Sequence, residues 1–235
     1  MQEEPDDVPG LPISPADFLA ADVLDGSHPA YSDGKDDKIW IAGLFEGDIA
    51  NFDPSVGKNA LRGEKIKWPK NTIPYEISST FTDIERSIIA KAMKEYQEKT
   101  CIRFVPRTKE PDYISIIKSG GCWSDAGRTG GKQDLSAGPN CGTGSVIHEF
   151  MHALGFYHEQ SRTDRDKYVS IKWDNIIPGM EDQFEKYGQD KITHLGAKYD
   201  VCSVMHYPDW AFRKVIRIMI SSEIRNSTVV FRPKM

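Results

Sequence analysis

The sequence predicts an α+β domain that follows an irregular leader, and three observations support this prediction. Apolar residues repeat at helical spacing over residues 82–99, and a second helix is expected from about 143 to 154, ended by Gly155. Short stretches rich in Ile, Val, Phe and Tyr lie near these segments and are typical of strands. The composition also changes near Ala60, where a start rich in Pro, Asp and Gly gives way to a more apolar chain.

The first helical segment has a clear start. Thr82 precedes the apolar repeat and Glu85 follows three residues later, which is the pattern of a capping box. One face of this predicted helix carries the apolar residues Ile84, Ile88, Ile89, Met93 and Tyr96. We expect strands at residues 73–77, 102–105, 113–117 and 167–173, mostly loop with short extended pieces over 120–144, and a helical turn within 176–187.

Composition argues against two classes of partner. The net charge is −5 and no block of Lys and Arg occurs, so we expect no nucleic-acid partner. No stretch approaches the ~20 apolar residues of a membrane span, so we expect no membrane partner. We expect the chain to act as a monomer.

Residues 1–58 are predicted to form a largely irregular leader. The prolines that interrupt it are Pro5, Pro9, Pro12, Pro15 and Pro29. Its start lacks the basic and apolar segments of a secretory signal. Three explanations are open: a signal was removed from the sequence, a first exon is missing, or the protein is not secreted.

Residues 148–159 read HEFMHALGFYHE and suggest a metal site. His148 and His152 lie four apart, so a helix places them on one face about 6 Å apart, where they can bind one ion. Glu149 lies beside the first ligand and can accept a proton from water. Gly155 tolerates the left-handed angles that end a helix, and the chain can then return to deliver His158. Three imidazoles leave coordination positions open, as in catalytic zinc sites.

A second motif makes this interpretation more specific. The sequence Ser-Val-Met-His-Tyr at residues 203–207 follows the histidines, and HExxHxxGxxH with a later Met-containing turn is the metzincin arrangement. Together with TCIRF at 100–104, GCWS at 121–124 and RTDRD at 162–166, it resembles the astacin family. The resemblance covers residues 68 to about 208. It implies a zincin-like domain with a mixed twisted sheet, two main helices and an active-site cleft.

The resemblance implies a zinc-dependent endopeptidase that binds one Zn²⁺ per chain. The implied zinc ligands are His148, His152 and His158, and Glu149 would be the general base. Tyr207 would bind zinc at rest and then swing away to hydrogen-bond the developing oxyanion. Met205 would form an apolar floor beneath the metal. From the residues alone, Met205 could equally be an ordinary core residue and Tyr207 a buried aromatic.

The leader resembles an inhibitory pro-segment. The sequence FEGD at residues 45–48 resembles the family's FxGD motif, in which Asp48 would occupy the zinc position that water needs. The alternative is an ordinary turn aspartate beside a glycine. A protein or peptide substrate is expected to lie extended along an edge strand near Trp123.

The family also implies an activation cut. Glu159 would be buried and would bridge through water to the new N-terminus of the mature enzyme. Alignment places that N-terminus at Asn59, after Lys58, so a trypsin-like protease is the expected activator. Arg62 is a less favoured cut site, and a solvated linker charge is the alternative role for Lys58.

The four cysteines allow three pairings or four free thiols. The resemblance implies a disulfide between Cys122 and Cys141, and a secreted protein. It would pair Cys101 with a cysteine near the domain's C-terminus, which this chain lacks, and it does not account for Cys202. A pair between Cys101 and Cys202 is left open.

Residues 211–235 are predicted to be an atypical tail, with no clear period from Arg213 and a formal glycosylation sequon at residues 226–228. After Tyr207 the family continues into a lower lobe that we expect to be largely missing here. The expected division is therefore a pro-segment at 1–58, a peptidase domain at 59–210 and the tail. The alternatives to an active endopeptidase are a catalytically impaired truncated product, a zinc-binding pseudoprotease, or an α+β domain with incidental histidines.

Overall fold

A computed structural model describes residues 8–24, 44–50, 66–188, 193, 195–214 and 229–231. Six described strands form one mixed sheet: β1 (Ile49–Ala50), β2 (Thr72–Ile77), β3 (Arg103–Pro106), β4 (Tyr113–Ile117), β5 (Cys122–Asp125) and β6 (Lys132–Ala137). Their order across the sheet is β1-β5-β6-β4-β2-β3. All neighbours pair in parallel except β5 and β6, which are antiparallel.

The centre of the sheet carries the core. In β4, Ile114 and Ile116 have no exposed surface, while the alternate residues are half-buried. The strands predicted at 73–77 and 113–117 are confirmed, and the one predicted at 102–105 lies one residue later. Over residues 120–144 the chain forms two strands, β5 and β6, and so has more regular structure than the expected loop.

Two long helices pack with the sheet: α2 (Asp83–Lys99) and α3 (Thr143–Ala153). The capping box predicted for α2 is confirmed, because Thr82 Oγ1 accepts from the Glu85 amide and Glu85 Oε2 accepts from the Thr82 amide. The predicted buried face is wrong at Ile84, which is 55% exposed. That residue lies in the first turn, where the helix extends past the apolar cluster.

The leader, which was expected to be largely irregular, contains one helix in its described part. Residues 15–22 form a helix, α1 (Pro15–Asp22), which packs on α2. Ser14 caps α1 in a capping box with Asp17, and Pro15 takes the first helical position, where its missing N–H costs nothing. Strand β1 is also part of the leader.

Beyond α3 the chain is mostly turns, with 3₁₀ helices at Glu159–Ser161, Arg165–Lys167, Trp173–Asn175 and Glu181–Phe184. The short strand predicted within 167–173 is β7 (Val169–Ile171), and Glu181–Phe184 is the helical turn predicted within 176–187. The tail is not wholly irregular, because β8 (Val229–Phe231) pairs antiparallel with β7. The sequon at 226–228 lies outside the described residues. Among the described residues, no helix has the length and apolarity that crossing a bilayer requires.

Candidate active site

Helix α3 carries the first half of the HExxHxxGxxH motif and is held firmly on the core. Its buried face includes Phe150, whose ring centroid lies 4.3 Å from that of Phe104. The Tyr96 hydroxyl donates to the carbonyl of Ile147 over 2.8 Å, and the indole N–H of Trp68 donates to the carbonyl of Ala153 over 2.8 Å. The side chains of the helix that face inward are therefore fixed by packing and by hydrogen bonds.

The chain reverses just after α3, as the motif predicted. Gly155 has a φ of 98°, in the left-handed region that favours glycine. Its amide donates to the carbonyl of His152 over 2.7 Å, which closes the turn. This reversal brings His158 back to the end of the helix that holds His148.

The three histidines meet at one point. Nε2 of His148 lies 3.0 Å from Nε2 of His152 and 3.1 Å from Nε2 of His158. Asp48 from the leader joins them, with Oδ2 at 3.1 Å from Nε2 of His148 and 3.4 Å from Nε2 of His158. All four side chains are buried, and their donor atoms lie within 4.8 Å of one another.

The hydrogen bonds of the Nδ1 atoms determine which ring nitrogens face the point where the three histidines meet. Nδ1 of His148 lies 2.8 Å from the carbonyl of Val204, and Nδ1 of His152 lies 2.8 Å from the carbonyl of Phe156. A carbonyl oxygen only accepts, so each Nδ1 carries the proton and each Nε2 presents a lone pair. The imidazole lone pairs and the Asp48 carboxylate converge on one point where no hydrogen-bond donor of the described residues faces them, so a cation is needed there. A ligand set of nitrogen and oxygen atoms suits zinc.

Asp48 is buried, and the histidine rings around it stabilise its negative charge. Burial alone would raise its pKa, but His158 and His152 outweigh burial and hold the pKa of Asp48 well below its ordinary range. Its Oδ1 accepts no hydrogen bond from the described residues and lies 3.4 Å from Nε2 of His152. In this arrangement Asp48 takes one of the positions around the point where the three imidazoles meet.

Glu149 lies beside the metal-binding group, and neither of its buried carboxylate oxygens has a hydrogen-bond partner among the described residues. Burial, and then the charge of Asp48, raise the pKa of Glu149 well above its ordinary value. A buried carboxyl group without partners is costly, so its presence at this place points to a chemical rather than a structural role.

Glu46 was not predicted as a site residue, although it stands inside the FEGD segment. Its side chain has no exposed surface, and its backbone has a φ of 48°. Oε2 lies 2.6 Å from Nδ1 of His158, while Oε1 accepts from Ser161 Oγ and from the Tyr187 hydroxyl, each over 2.6 Å. Glu46 therefore supplies the acceptor that orients the third imidazole. No sequence spacing could indicate this, since its partners lie 112 to 141 positions away.

The predicted Met-containing turn lies against the same group. The carbonyl of Met205, a buried residue, accepts from the amide of Glu159 over 2.8 Å. Tyr207 is also buried, with its ring centroid 4.7 Å from that of His158. Its hydroxyl donates to the backbone carbonyl of Glu46 over 2.7 Å, so in this state the tyrosine binds the leader.

Glu159 is half-buried rather than buried as the resemblance implied. Its Oε1 accepts from Arg162 Nη1 over 3.1 Å and from the amide of Asp200 over 2.8 Å. Burial raises its pKa in spite of these donors. The implied cut at Lys58–Asn59, and the alternative at Arg62, lie outside the described residues.

The four cysteines form one disulfide, the one that the resemblance implied, and leave two free thiols. Cys122 and Cys141 form a disulfide that ties β5 to the loop before α3. Cys101 and Cys202 are free and exposed, so the pair left open between them is not formed.

The edge of the sheet near Trp123 is covered by the leader. Strand β1 pairs in parallel with β5, placing Ile49 opposite Ser124 and Ala50 opposite Asp125. The amide of Ser124 also donates to the carbonyl of Asp48 over 3.0 Å. The leader thus lies along the edge where an extended substrate was predicted.

The family model for astacin, which describes a family of peptidases, matches residues 60–231. The match continues past residue 208, the end of the resemblance in sequence motifs. The chain is 49% identical over 190 residues to zinc metalloproteinase nas-13 of Caenorhabditis elegans, covering 72% of this chain and 42% of the worm protein. It is 48% identical over 172 residues to human meprin A subunit beta, covering 72% of this chain and 24% of the human one.

A solved structure is also similar. It is that of high choriolytic enzyme 1, a hatching enzyme zinc-protease from Oryzias latipes, with 41% identity and a TM-score of 0.62. The alignment covers 72% of this chain and 80% of the fish protein. The chain spans less than two thirds of the length of the worm and human relatives described above.

Proposed function

Because this chain belongs to the astacin family of zinc metalloproteases, we propose that it is a zinc-dependent endopeptidase held inactive by its own leader. The observation that carries the proposal is the convergence of three imidazole Nε2 atoms beside a buried carboxylate to which the described residues donate no hydrogen bond. Three of the four potential ligands belong to the domain and the fourth to the leader, so departure of the leader would leave an open coordination position, as in catalytic zinc sites.

His148, His152 and His158 would hold the ion through Nε2. Zinc bound there would act as a Lewis acid that polarises the peptide carbonyl and acidifies water. The protein's own contribution is proton transfer: Glu149 takes a proton from the attacking water and delivers it to the leaving amine. Its position next to His148 on α3 puts its carboxylate within reach of the same point.

Tyr207 is proposed to stabilise the developing negative charge on the substrate oxygen. Its hydroxyl is a donor within the same cluster, and in the leader-bound state that donor is used on the carbonyl of Glu46. Departure of Glu46 frees the hydroxyl for substrate. The edge of β5 near Trp123 then becomes available for an extended peptide by strand addition.

The leader is proposed to inhibit in two ways. Asp48 supplies an anionic ligand where water would otherwise enter, and its charge contributes to the raised pKa of Glu149. Strand β1 covers the edge of β5. Both effects end when the leader departs, so one displacement would open the metal position to water and the β5 edge to substrate.

Activation is proposed to follow cleavage by a trypsin-like protease at Lys58–Asn59. Glu159, held by Arg162 and by the amide of Asp200, is the proposed partner of the new N-terminus. A secreted location is proposed because the disulfide between Cys122 and Cys141 suits an oxidising compartment. The substrate is proposed to be a protein or peptide. The enzyme is proposed to act as a monomer.

The test uses the zinc-loaded full chain and a disordered protein substrate, before and after limited trypsin treatment. We expect no cleavage before trypsin, cleavage after it, and no cleavage by the treated Glu149→Gln variant. Tight zinc binding with no cleavage in either state would contradict the proposal and support a zinc-binding pseudoprotease. A folded chain that binds no zinc would contradict both.

A further inference from the structure

We propose that residues 8–24, here called the clamp, form a docking module that stays bound to the peptidase domain after the leader has been cut. The clamp consists of an extended segment followed by α1. It lies against β2 and α2, whereas the metal-binding group is contacted by residues 44–50, here called the plug. The two parts of the leader therefore bind different elements of the domain.

The extended segment of the clamp pairs with the end of β2. The amide of Gly10 donates to the carbonyl of Ile77 over 2.7 Å, and the amide of Ser79 donates to the carbonyl of Val8 over 2.9 Å. A Cβ at position 10 would lie 2.8 Å from Cα of Ser79, so this approach requires glycine. The pairing adds backbone hydrogen bonds in the way that an added strand does.

The clamp also completes the main apolar core. Ala21 has no exposed surface, and Ile13 and Leu24 are also buried. They belong to the same cluster as Tyr75 and Ile88 of the peptidase domain. If the clamp left, these domain side chains would lose their cover, so the hydrophobic effect favours retention.

Arg86 of α2 is committed almost wholly to the clamp. Its Nε and Nη2 donate to the two carboxylate oxygens of Asp17 over 3.2 and 2.9 Å, and it donates to the carbonyls of Leu11 and Pro12 over 3.0 and 2.7 Å. The Arg86 and Asp17 side chains are only 14% and 11% exposed. Paired guanidinium and carboxylate groups at this burial are strong and directional, and removal of one leaves the other unpaired.

Two lysines of α2 bind the other end of α1. Lys91 Nζ donates to the carbonyl of Ala21 over 3.3 Å and to that of Leu24, and Lys94 pairs with Asp22. Cations at a helix C-terminus stabilise its unpaired carbonyls and its dipole. The clamp is therefore held at its start, middle and end by residues outside the metal-binding group.

The sequence allows the two parts of the leader to be separated. The first Lys or Arg in the chain is Lys35, and Lys38 follows, so trypsin can produce fragment 1–35 with the clamp intact and fragment 39–58 with the plug. The experiment uses the zinc-loaded full chain carrying Glu149→Gln, which prevents self-digestion. After trypsin treatment, size-exclusion chromatography and native mass spectrometry identify the fragments that elute with the domain.

We expect fragment 1–35 to elute with the domain at roughly micromolar concentration, whether or not fragment 39–58 has been washed out. Release of the unsubstituted fragment 1–35 from the domain would overturn the proposal. So would release of fragment 1–35 whenever fragment 39–58 leaves, since the clamp would then have no affinity of its own. The readout is mass, so it is independent of whether the chain is a peptidase.

Variants test the contacts. Asp17→Ala changes only the clamp and leaves the sequence of the peptidase domain intact, and we expect it to weaken retention by about ten- to a hundredfold. Arg86→Asp should do the same, and Asp17→Arg combined with Arg86→Asp should restore part of the binding. The matched control is Arg103→Ala, because exposed Arg103 donates, within the described part of the chain, only to the nearby carbonyls of Thr100 and Ile102. Equal retention in Asp17→Ala and the unsubstituted chain would show that the ion pair does not hold the clamp.

Discussion

The clamp and the plug belong to the same leader but bind by opposite means. The clamp buries apolar side chains and is held by partly exposed ion pairs on α2. The plug inserts the carboxylates of Glu46 and Asp48 among polar partners, and neither residue has any exposed surface. The comparison suggests that one part supplies affinity and the other controls chemistry.

The physical cost of each contact explains this division. Buried carboxylates are tolerated only where cations or donors surround them, so the plug depends on the metal-binding group and on the hydroxyls of Ser161 and Tyr187. Apolar burial has no such requirement, so the clamp can bind whatever the state of the metal site. A change that affects one part of the leader should therefore leave the other part bound.

Replacing the base should affect chemistry without affecting either part of the leader. We expect Glu149→Gln to lower the activity of the trypsin-treated chain by about 10²–10⁴-fold, because the proton acceptor is lost. The matched control is Glu76→Gln, which removes a carboxylate of β2 that pairs with Arg107. Initial rates on a disordered protein measure the effect. A loss of less than about tenfold would show that Glu149 is not the general base.

Removing the inhibitory ligand should act through the plug alone. We expect Asp48→Ala to give the uncut chain activity at least about tenfold above that of the unsubstituted uncut chain, because a ligand position becomes open to water. Retention of fragment 1–35 after trypsin should not change. An uncut Asp48→Ala chain as silent as the unsubstituted one would show that covering of the β5 edge is sufficient for inhibition.

Weakening Glu46 should loosen the plug without exposing the core. Glu46→Gln replaces a carboxylate with a weaker acceptor opposite His158, Ser161 and Tyr187. Hydrogen bonds to a charged group contribute about 1.5–3 kcal/mol, so we expect amide exchange in residues 44–50 to accelerate by roughly ten- to a hundredfold. Exchange in 8–24 should stay constant. Acceleration in both segments would show that the clamp and the plug open together.

Acid should weaken the clamp by the smallest amount. Burial alone would raise the pKa of Asp17, but hydrogen bonds from Arg86 and Ser14 hold it below its ordinary value of 3.8. A group whose pKa is lower in the folded state contributes fully to stability at pH values above its pKa in the unfolded state. This contribution is lost as the pH falls through its pKa in the folded state. We therefore expect retention of fragment 1–35 to fall only below about pH 4. This fall should be smaller in Asp17→Asn, and an equal fall in both would exclude Asp17 as its cause.

Much of the catalytic half could be predicted because its signals are local. The cap at Thr82, the four-residue spacing of His148 and His152, and the turn at Gly155 each follow from neighbouring residues and fixed helical geometry. The convergence of His158 with the other two rings followed from that turn.

The contacts of the leader could not be predicted in the same way. Glu46 meets its partners only through the tertiary fold, so no spacing indicates them. Helix α1 did have a local signal, the capping box of Ser14 and Asp17 with Pro15 at the first helical position, but the neighbouring prolines were interpreted as breakers. Strand β6 has a polar sequence, and it is ordered by pairing with β4 and β5 rather than by its own composition.

Three imidazoles and the leader carboxylate should surround one zinc ion in the uncut chain. X-ray absorption spectroscopy of the zinc-loaded, uncut chain measures this coordination, with Asp48→Ala as the comparison. We predict one zinc per chain with four nitrogen or oxygen ligands at about 2.0–2.1 Å, three of them imidazoles, and a changed spectrum in the variant. Sulfur ligation, fewer than three imidazoles, or identical spectra for the two chains would contradict the account.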